Sequence, residues 1–440
     1  MRKLLVGLLC FFGTLTLLIS FFPQNHHKDI ILDGYTSTFS YSEGDSFALF
    51  INSKITTEDY HLKIYNLKNQ VVDSLICNVF PQKKPPFLAY EKGFGYLPSA
   101  QGKMSNLKSG IYLFGNKIPF LVKAIEPAEV VILYSSNTEN AYSSAGGKSL
   151  YSYDTIAKKH QPVVSFLRPI PLANKSKEFL KWISSTNQYN ISYISDRDLD
   201  NFKSIDGAKL IVIVGHSEYW TRKARRNFDR FVEQGGNALI LSGNTMWWQV
   251  RYNDEKNQLI CYKNASYDSV PDSLKTINWT DSILDFPTMQ SIGVDFNHGG
   301  YGLKNDKGWN GFKITANNPC LFRGTDIKKG DVIHLPTAEY DGTSLSFSND
   351  STSVKIKQEN EAYDVQLIGY DLASRQNYSV GTWIAFQPSE SSGIIINTSS
   401  TDWCAEAGML GEDATIVKQI TLNMMNLLLS GSPETVFRHD

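Results

Sequence analysis

Residues 211–244, IVIVGHSEYWTRKARRNFDRFVEQGGNALILSGN, constrain the fold more than any other stretch of the chain. Two apolar runs, IVIV and NALIL, flank a helical segment that has Thr221 as its candidate N-cap and Gly235 as its C-terminal stop. Continuous apolar runs are typical of strands that are buried on both faces, as the strands of parallel sheets are. The stretch therefore predicts a strand, a helix and a second strand parallel to the first.

The flanking sequence predicts further elements of the same sheet. EVVILYSS (129–136) and YNISYISD (189–196) have the composition of strands. Between them, SKEFLKWISST (176–186) places Phe179 and Leu180 on one face of a helix. The alternation of strands and helices predicts a doubly wound parallel sheet.

The C-terminal half is less regular at first, and strand-like runs return later. Residues 247–341 are rich in Trp, Asn, Asp and Gly, which indicates a long insertion or an elaborated edge of the sheet. Strand-like runs return at 353–396, and TIVKQITLNMMNLLLSG is expected to form an amphipathic helix that ends at Gly431. Residues 127–432 are therefore predicted to form one α/β domain with an irregular insertion.

Residues 29–124 are predicted to form a separate all-β domain. Short runs rich in β-branched and aromatic residues, such as SFALFINS and SGIYLFG, are separated by turn signals such as NLKSG. Strands at this spacing in a segment of this length predict an immunoglobulin-like β-sandwich. The segment IEPAE (125–129) is the expected linker to the second domain.

The first 22 residues indicate export from the cytoplasm. Arg2 and Lys3 precede the apolar run LLVGLLCFFGTLTLLISFF, as in a secretory signal. The segment is either cleaved or retained as a membrane anchor, and the alternative is a buried core helix. The protein is therefore expected in the periplasm, outside the cell, or anchored to the membrane. The formal net charge of −1 indicates no nucleic-acid partner.

The cysteines do not form a zinc-binding pattern. Beyond Cys10, none of Cys77, Cys261, Cys320 and Cys404 is spaced as C-x-x-C. In an exported protein these cysteines could form disulfides, and a bridge between Cys261 and Cys320 is the most plausible one.

Three polar loops follow the predicted buried strands, at 137–154, 215–220 and 242–248. Ligands of open α/β sheets bind beyond the carboxyl ends of the strands, so we expect these loops to lie at one edge. Ser217 lies in a strand-to-helix turn but lacks the G-x-S-x-G pattern of a nucleophile elbow. The simpler interpretation is that His216 and Ser217 cap the following helix.

Two short segments contain oxygen donors suited to a hard cation. Glu218 and Tyr219 supply a carboxylate and a phenol, which together suit an ion such as ferric iron. The alternative is that Tyr219 packs as an ordinary aromatic side chain between helix and sheet. Glu339 and Asp341, in HLPTAEYDG, could also bind a cation, or could form a solvated turn.

Several segments together resemble the large (β) subunit of N,N-dimethylformamidase and its relatives. These segments are NAYSSAGGKSLY, VSFLRP, GHSEYWT, FVEQGGNALILSGNTMWW, GDVIHLPTAEYDG and NTSSTDW. The resemblance covers residues 29–430, and GHSEYW with GGNALILSGN is its more specific part. It implies a β-sandwich followed by a domain similar to class I glutamine amidotransferases, and a metal-dependent hydrolase of linear amides.

The resemblance also implies a mononuclear iron held by two tyrosines and one glutamate. The matching positions are Tyr219 in GHSEYW and Glu339 in AEYDG. Tyr142 in AYSSAGG is the expected second tyrosine, and Tyr151 is the reserve. A ferric ion acts as a Lewis acid on an amide carbonyl and lowers the pKa of a bound water.

The remaining site residues follow from the same resemblance. His216 and Glu218 are the expected catalytic residues, which shuttle a proton to the leaving amine. In the amidotransferase fold a cysteine nucleophile follows the strand written here as ALILSG, whereas this chain has Asn244, which excludes thiol chemistry. Asn244, Trp220 and Trp248 are expected to bind the substrate, a small amide that yields a carboxylate and an amine.

The expected partners also come from the resemblance. The characterised family enzyme works with a separate small subunit, so a small partner subunit is expected here, together with homo-oligomers. An exported protein meets a different substrate pool from a cytosolic enzyme. The fold and the site therefore carry over better than the substrate does.

A function of a different class is the alternative. The chain would be a non-catalytic exported surface protein that binds glycans or a protein partner through aromatic loops. Trp220, Trp247, Trp248 and Trp309 would supply the stacking surfaces. The iron content of the purified protein distinguishes the two hypotheses.

Overall fold

The computed structural model describes residues 30–430 and residue 436, except residues 106, 304–307, 348–353, 357–363 and 376–378. The predicted export segment and Gly431 lie outside the described residues. None of the helices in the described part of the chain is long and apolar enough to cross a membrane.

The N-terminal region consists mainly of strands. Its elements are β1 (Ile31–Thr36), β2 (Ser40–Tyr41), β3 (Ser46–Ser53), β4 (Thr57–Asn66), β5 (Val71–Val79), α1 (Ala89–Lys92), β6 (Ala100–Lys103), β7 (Gly110–Phe114) and β8 (Ile118–Val122). Strands β1, β3 and β6 form one sheet, and β2, β8, β7, β4 and β5 form a second sheet in that order. Leu49 and Ile51 of the first sheet share one buried core with Phe114 and Phe120 of the second.

Strands and helices alternate in the next part of the chain. Its elements are β9 (Val130–Tyr134), α2 (Ser136–Tyr142), β10 (Tyr153–Asp154), β11 (Lys159–His160), β12 (Val163–Ser165), α3 (Lys177–Thr186), β13 (Ile191–Ser195), β14 (Leu210–His216), β15 (Tyr219–Thr221), α4 (Arg222–Glu233) and β16 (Asn237–Gly243). Thr221 caps α4, because its Oγ1 accepts a hydrogen bond from the Ala224 amide at 2.9 Å. Gly235 follows the helix at φ 90°. Both predicted helix boundaries are confirmed.

The rest of the chain is mostly strand and ends in a long helix. Its elements are β17 (Trp248–Asn253), β18 (Gln258–Ile260), α5 (Thr288–Ile292), β19 (Asp295–Gly302), β20 (Gly311–Ile314), β21 (Val332–His334), β22 (Glu339–Gly342), β23 (Leu345–Phe347), β24 (Val354–Ile356), β25 (Asp364–Ser374), β26 (Val380–Gln387), β27 (Ile395–Asn397), α6 (Glu406–Leu410) and α7 (Ala414–Ser430). The predicted irregular segment 247–341 thus contains strands β17 to β21 and the start of β22.

An eleven-stranded sheet, here called the main sheet, is the centre of this region. Its order is β13-β9-β14-β16-β27-β26-β25-β19-β22, and β20 and β21 pair beside β25. The five strands from β13 to β27 are parallel, whereas β26, β25, β19 and β22 pair antiparallel with their neighbours. The predicted parallel arrangement of β9, β13, β14 and β16 is confirmed, whereas the antiparallel strands lie in the C-terminal half, where the sequence predicted strands without a direction. Few residues separate β25 from β26, and few separate β26 from β27. Each connection is too short for a helical crossover, so the two strands that it joins run antiparallel.

Both faces of the parallel strands are covered, which explains their continuous apolar sequences. Along β14, Val212 and Val214 pack with residues of α3 and α7 on one face. Ile211 and Ile213 pack with α4 on the other face. The period of two along a strand sends alternate side chains to opposite layers. The molecule is therefore rich in β-structure, with helices covering one large sheet.

The predicted disulfide between Cys261 and Cys320 is wrong, because both residues are free cysteines. Cys261 is fully buried in a cluster with Tyr219 beside a four-stranded sheet of β12, β18, β17 and β15. The neighbour of Cys320, Leu321, packs instead in the cluster that contains α7. The two sulfur atoms therefore belong to different parts of the molecule.

Candidate functional site

The three polar loops do meet at the carboxyl edge of the parallel strands, as expected. The Glu218 amide donates to Thr138 Oγ1 at 3.0 Å, which joins the loop after β14 to helix α2. The first part of the predicted loop 137–154 is therefore helical, up to Tyr142. The Ser217 amide donates to Ser242 Oγ at 3.1 Å, which joins it to β16. Parallel neighbours end at the same edge, so side chains far apart in sequence converge there.

A short hydrogen-bonded chain runs from two tyrosines to a buried carboxylate. The Tyr142 hydroxyl donates to the Tyr151 hydroxyl at 2.8 Å, and Tyr151 donates to Glu218 Oε1 at 2.5 Å. Glu218 is 1% exposed, whereas the two tyrosines remain about two-fifths exposed, at 41% and 38%. Burial raises the pKa of the Glu218 carboxyl. Burial and the nearby Glu218 also raise the pKa of both phenols.

His216 lies between two carboxylates. Its Nε2 is 3.5 Å from Glu218 Oε2 and 3.5 Å from Glu339 Oε2. Burial lowers the pKa of the His216 imidazole, with Glu339 acting in the opposite direction. The ring is therefore neutral near pH 7, and its Nε2 has no hydrogen-bond partner. The Glu339 side chain is 22% exposed, against 1% for Glu218, so Glu339 is the carboxylate that meets solvent.

Asn244 holds Glu339 from the loop after β16. Its Nδ2 donates to Glu339 Oε2 at 3.0 Å. Asn244 has φ 51°, a left-handed conformation that asparagine tolerates better than most residues. The Thr245 amide donates to Asp341 Oδ2 at 2.9 Å. Glu339 and Asp341 both belong to β22, so this strand fixes the loop at two points.

Sequence analysis missed Lys263, which lies over the aromatic part of the site. Its Nζ is 3.7 Å from the centre of the Tyr151 ring, 5.0 Å from that of Trp248 and 5.4 Å from that of Tyr219. Burial lowers the pKa of the Lys263 ammonium, and Glu218 partly restores it. The segment CYKNAS around Lys263 carries no motif, so no sequence signal could have found it. The family resemblance gave Tyr151 only as the alternative to Tyr142, although Tyr151 contacts Tyr142, Glu218 and Lys263.

Several buried polar atoms of the site have no hydrogen-bond partner. They are His216 Nε2, Glu218 Oε2, Tyr219 Oη, Asn244 Oδ1, Trp248 Nε1 and Asp341 Oδ1. Buried polar groups nearly always find partners, and each exception needs an explanation such as an ion, a water or a catalytic role. Their concentration at one edge of the main sheet marks it as a site for a ligand.

Not every predicted residue belongs to the site. Trp220 is 1% exposed and packs against Phe228 on α4, with the two ring centroids 6.1 Å apart. Its Nε1 donates to Ser217 Oγ at 3.0 Å. Ser217 therefore supports Trp220 and does not cap α4, which is the role of Thr221. The capping role expected of Ser217 is therefore wrong, whereas the substrate role of Trp220 stays a prediction.

The donor chemistry of the edge is dominated by oxygen. In the described part of the chain, no group of three or more His, Cys, Asp or Glu side chains could hold a metal ion. Phenol oxygens are the additional donors here, since Tyr142 and Tyr151 form one contiguous set with Glu218. Two phenols and one carboxylate suit a hard cation such as ferric iron.

The fold and the site define a β-rich protein with a polar, tyrosine-containing cluster at the carboxyl edge of the parallel strands of the main sheet. A family model described as "N,N-dimethylformamidase beta subunit-like, C-terminal" matches residues 104–413. This match covers more than half of the chain. The chain therefore belongs to the N,N-dimethylformamidase β subunit-like family, as the resemblance of its motifs predicted.

The other comparisons add little. No curated protein matches the chain. The solved structure of an mmIFT52 N-terminal domain matches with 9% identity and covers 68% of this chain and 97% of its own. Its TM-score is 0.32, which is too low to support a statement about the fold.

Proposed function

We propose that the chain is a metal-dependent hydrolase that cleaves the C–N bond of small linear amides. The observation that carries this proposal is the contiguous set of Tyr142, Tyr151 and Glu218, with Glu218 Oε2 buried and unpartnered. Membership of the N,N-dimethylformamidase β subunit-like family supports an amide as substrate.

The residues fit a ferric ion, and the contacts favour Tyr142, Tyr151 and Glu218 as its ligands. These three side chains already touch one another, and their oxygen atoms match the preference of a hard ion. The Tyr219 hydroxyl is also buried and unpartnered, so Tyr219 stays a predicted ligand that the experiment below tests. Glu339, the other predicted ligand, is assigned a role in proton transfer here. A bound ferric ion supplies Lewis acidity, which activates a carbonyl group and makes water more acidic.

The side chains around these ligands supply the proton transfers. Hydrolysis adds a hydroxyl to the carbonyl carbon, and the nitrogen leaves with a proton. Glu339 is solvent-accessible and takes the proton that the attacking water loses. Glu339 then transfers this proton to Nε2 of the neutral His216, which is 3.5 Å from Glu339 Oε2, and His216 delivers it to the departing amine. Asn244 orients Glu339 through the bond at 3.0 Å.

A thiol nucleophile does not fit this chain. Cys404 Sγ is buried and donates to the carbonyl oxygen of Leu241 at 3.4 Å. Burial raises the pKa of the Cys261 thiol to about 12, so it is not a thiolate near pH 7. Water is therefore the proposed nucleophile.

We also infer a more specific fold for the N-terminal region and for the region of the main sheet. The two sheets of the N-terminal region, which share one core, support an immunoglobulin-like sandwich. The parallel strands β13, β9, β14 and β16, covered by helices on both faces, support a domain similar to class I glutamine amidotransferases. Asn244, left-handed directly after β16, occupies the position that a strained nucleophile would have in that fold.

The proposed partners and location follow from the family and the sequence. The match to a β subunit-like family supports a partner subunit in a larger complex. Arg2, Lys3 and the apolar run after them support export. We also propose that the chain forms homo-oligomers.

Metal analysis of the purified protein tests the proposal. We expect stoichiometric iron, a visible tyrosinate-to-iron absorption band, and release of an amine from a linear amide such as N,N-dimethylformamide. The band should be lost in Tyr142→Phe and Tyr151→Phe. If Tyr219→Phe removes it and Tyr151→Phe does not, the predicted ligand Tyr219 replaces Tyr151.

A matched control is Tyr340→Phe. Tyr340 is fully buried, and its hydroxyl donates to Asp371 Oδ2 at 2.8 Å, so it loses a similar hydrogen bond outside the ligand set. The tyrosinate-to-iron absorption band of the Tyr340→Phe variant should match that of the wild-type protein. Protein that takes up no iron under iron-replete conditions and hydrolyses no amide would contradict the proposed function.

A further inference from the structure

Arg168 is a fully buried arginine whose hydrogen bonds all go to uncharged oxygen atoms. Nη1 donates to the carbonyl oxygens of Ala145 at 3.0 Å and Lys148 at 2.9 Å. Nη2 donates to the carbonyl oxygen of Asn140 at 2.5 Å. Nε donates to Asn140 Oδ1 and to the carbonyl oxygen of Ser165, both at 3.1 Å. Arg168 is 0% exposed.

These acceptors are concentrated on one segment. Asn140 lies in the last turn of α2, and Ala145 and Lys148 lie in the loop that follows it. In the sequence, Tyr142 lies between the acceptors Asn140 and Ala145, and Tyr151 follows the acceptor Lys148. The guanidinium therefore binds the backbone on both sides of one tyrosine and close to the other. A cation is also favourable near the carbonyl groups at a helix C-terminus.

The opposite side of the same loop is held by the N-terminal region. Gly146 has φ 82°, and a Cβ there would be 2.5 Å from the backbone nitrogen of Tyr90 in α1. Lys148 Nζ lies 5.6 Å from the centre of the Tyr90 ring. The loop is thus enclosed between α1 and Arg168, and only glycine allows the close approach to α1.

We infer that Arg168 is a positioning residue that holds Tyr142 and Tyr151 in register with Glu218. This inference rests on the proposed function for its catalytic consequence, but the anchoring of the loop is independent of any metal. Arginine suits the role because its planar fork presents several donors in fixed directions. Lysine has one ammonium group, so it cannot satisfy the four separated backbone carbonyl groups that Arg168 binds.

Hydrogen exchange of the metal-free protein tests the anchoring. The amides of Gly147, Leu150 and Ser152 all donate within this segment, to Ser144, Ala141 and Ser149 respectively. In Arg168→Met we expect their exchange to accelerate at least about tenfold, while exchange along β14 and β16 is unchanged. Unchanged exchange of the loop in a folded Arg168→Met protein would overturn the inference.

Arg225→Met is the matched control. Arg225 is also 0% exposed, and it donates to the carbonyl oxygens of Phe286 and Pro287, both at 2.6 Å. We expect this variant to accelerate exchange around residues 286–291 and to leave residues 141–152 unchanged. An equal effect of both variants on residues 141–152 would mean that Arg168 acts only through global stability, and would overturn the inference.

The iron-binding readout connects the anchoring to the site. Arg168→Met should lower the tyrosinate-to-iron absorption per iron and reduce kcat by about 100-fold, because small displacements of catalytic groups are costly. Arg168→Lys should fall between wild type and Arg168→Met. A wild-type protein without iron would contradict the proposed function, while the exchange experiment would still decide the positioning role.

A milder variant keeps the test decisive if Arg168→Met fails to fold. Asn140→Ala removes only the side-chain acceptor of Arg168 Nε, and leaves the carbonyl acceptors in place. We expect faster exchange of the Gly147 and Leu150 amides at unchanged melting temperature. If the loop exchanges as in wild type, Arg168 does not position it through Asn140 and the inference fails.

Discussion

The core of the N-terminal sandwich and the carboxyl edge of the main sheet are both well buried, but they differ in how their polar atoms are satisfied. Among the described residues of the N-terminal region, no buried side-chain nitrogen or oxygen lacks a partner. At the edge of the main sheet six such atoms lack one, including those of His216, Glu218 and Asn244. Phe114 and Phe120, stacked at 4.2 Å, typify the first region.

The difference indicates which region is organised for stability and which for binding. An unpartnered buried polar atom costs about 1–3 kcal/mol, so a cluster of them persists only if a ligand or a function requires it. Aromatic stacking in the sandwich stabilises the fold without any such cost. Substitutions in the two regions should therefore separate stability from activity.

Glu218→Gln should have the largest effect on activity. Glutamine keeps the size of the side chain but cannot bind a cation or a proton as the carboxylate does. We expect amide hydrolysis to fall by about 10²-fold or more, because a cation without this carboxylate ligand is displaced from its position at the site. The melting temperature should be unchanged or higher, because the buried carboxyl no longer ionises. If Glu218→Gln hydrolysed amides within twofold of the wild-type rate, the assignment of the main-sheet edge to ligand binding would be contradicted.

Phe120→Ala should have the largest effect on stability. Phe120 is 0% exposed and stacks on Phe114 in the sandwich core. Its truncation should lower the free energy of unfolding by about 3–5 kcal/mol, as measured by urea denaturation. The kcat of the folded fraction should be unchanged. A selective loss of kcat at full folding would show that the sandwich takes part in catalysis.

Two asparagines with similar backbones offer a matched pair. Asn244 has φ 51° at the site, and Asn116 has φ 59° in the exposed turn between β7 and β8. Glycine tolerates both conformations. Asn244→Gly should lower kcat/KM by about 10- to 100-fold, since a hydrogen bond to the charged Glu339 is worth about 1.5–3 kcal/mol. Asn116→Gly should change neither kcat/KM nor stability by more than about 0.5 kcal/mol.

Equal effects of the two substitutions on kcat/KM would contradict a specific role for the Asn244 side chain. Urea denaturation of both variants checks that the backbone tolerates glycine at each position. A large loss of stability in Asn244→Gly alone would instead assign its side chain to the fold.

Asp196→Asn should give a smaller effect, visible in the pH dependence of stability. Burial raises the pKa of the Asp196 carboxyl from 3.8 to about 7. The native state then binds the proton more tightly than the unfolded state. Its contribution to stability is complete below pH 4 and is lost as the pH rises towards 7, by about 1 kcal/mol per pH unit.

The variant should therefore gain stability relative to wild type as the pH rises from 4 to 8. Melting temperatures measured across that range check the sign of this trend. Burial and Asp196 also raise the pKa of Glu139 to about 8, which acts in the same direction. If the melting temperatures of Asp196→Asn and wild type differed by the same amount at every pH, the raised pKa of Asp196 would be contradicted.

Much of the fold follows from local patterns. The continuous apolar runs at β9, β14 and β16 predicted buried parallel strands, and Thr221 and Gly235 marked the ends of α4. The convergence of the polar loops also followed, because parallel strands end at one edge. These features depend on neighbouring residues or on a general rule of sheet topology, so a single sequence contains them.

The site itself depended on contacts between distant segments. Tyr151 meets Glu218 across 67 residues, and Lys263 reaches the site from the segment after β18, which no motif marks. Arg168 and Trp220 both belong to segments that carry the family resemblance, yet one anchors the tyrosine loop and the other packs against α4.

The sequence alone therefore determined the strands, the helix ends and the edge where polar side chains gather. The tertiary structure decided which of those side chains touch, that Cys261 and Cys320 remain unpaired, and that half of the main sheet is antiparallel. The physical reason is that pattern and propensity act over a few residues. Contact, burial and pKa are set by segments that only the folded chain brings together.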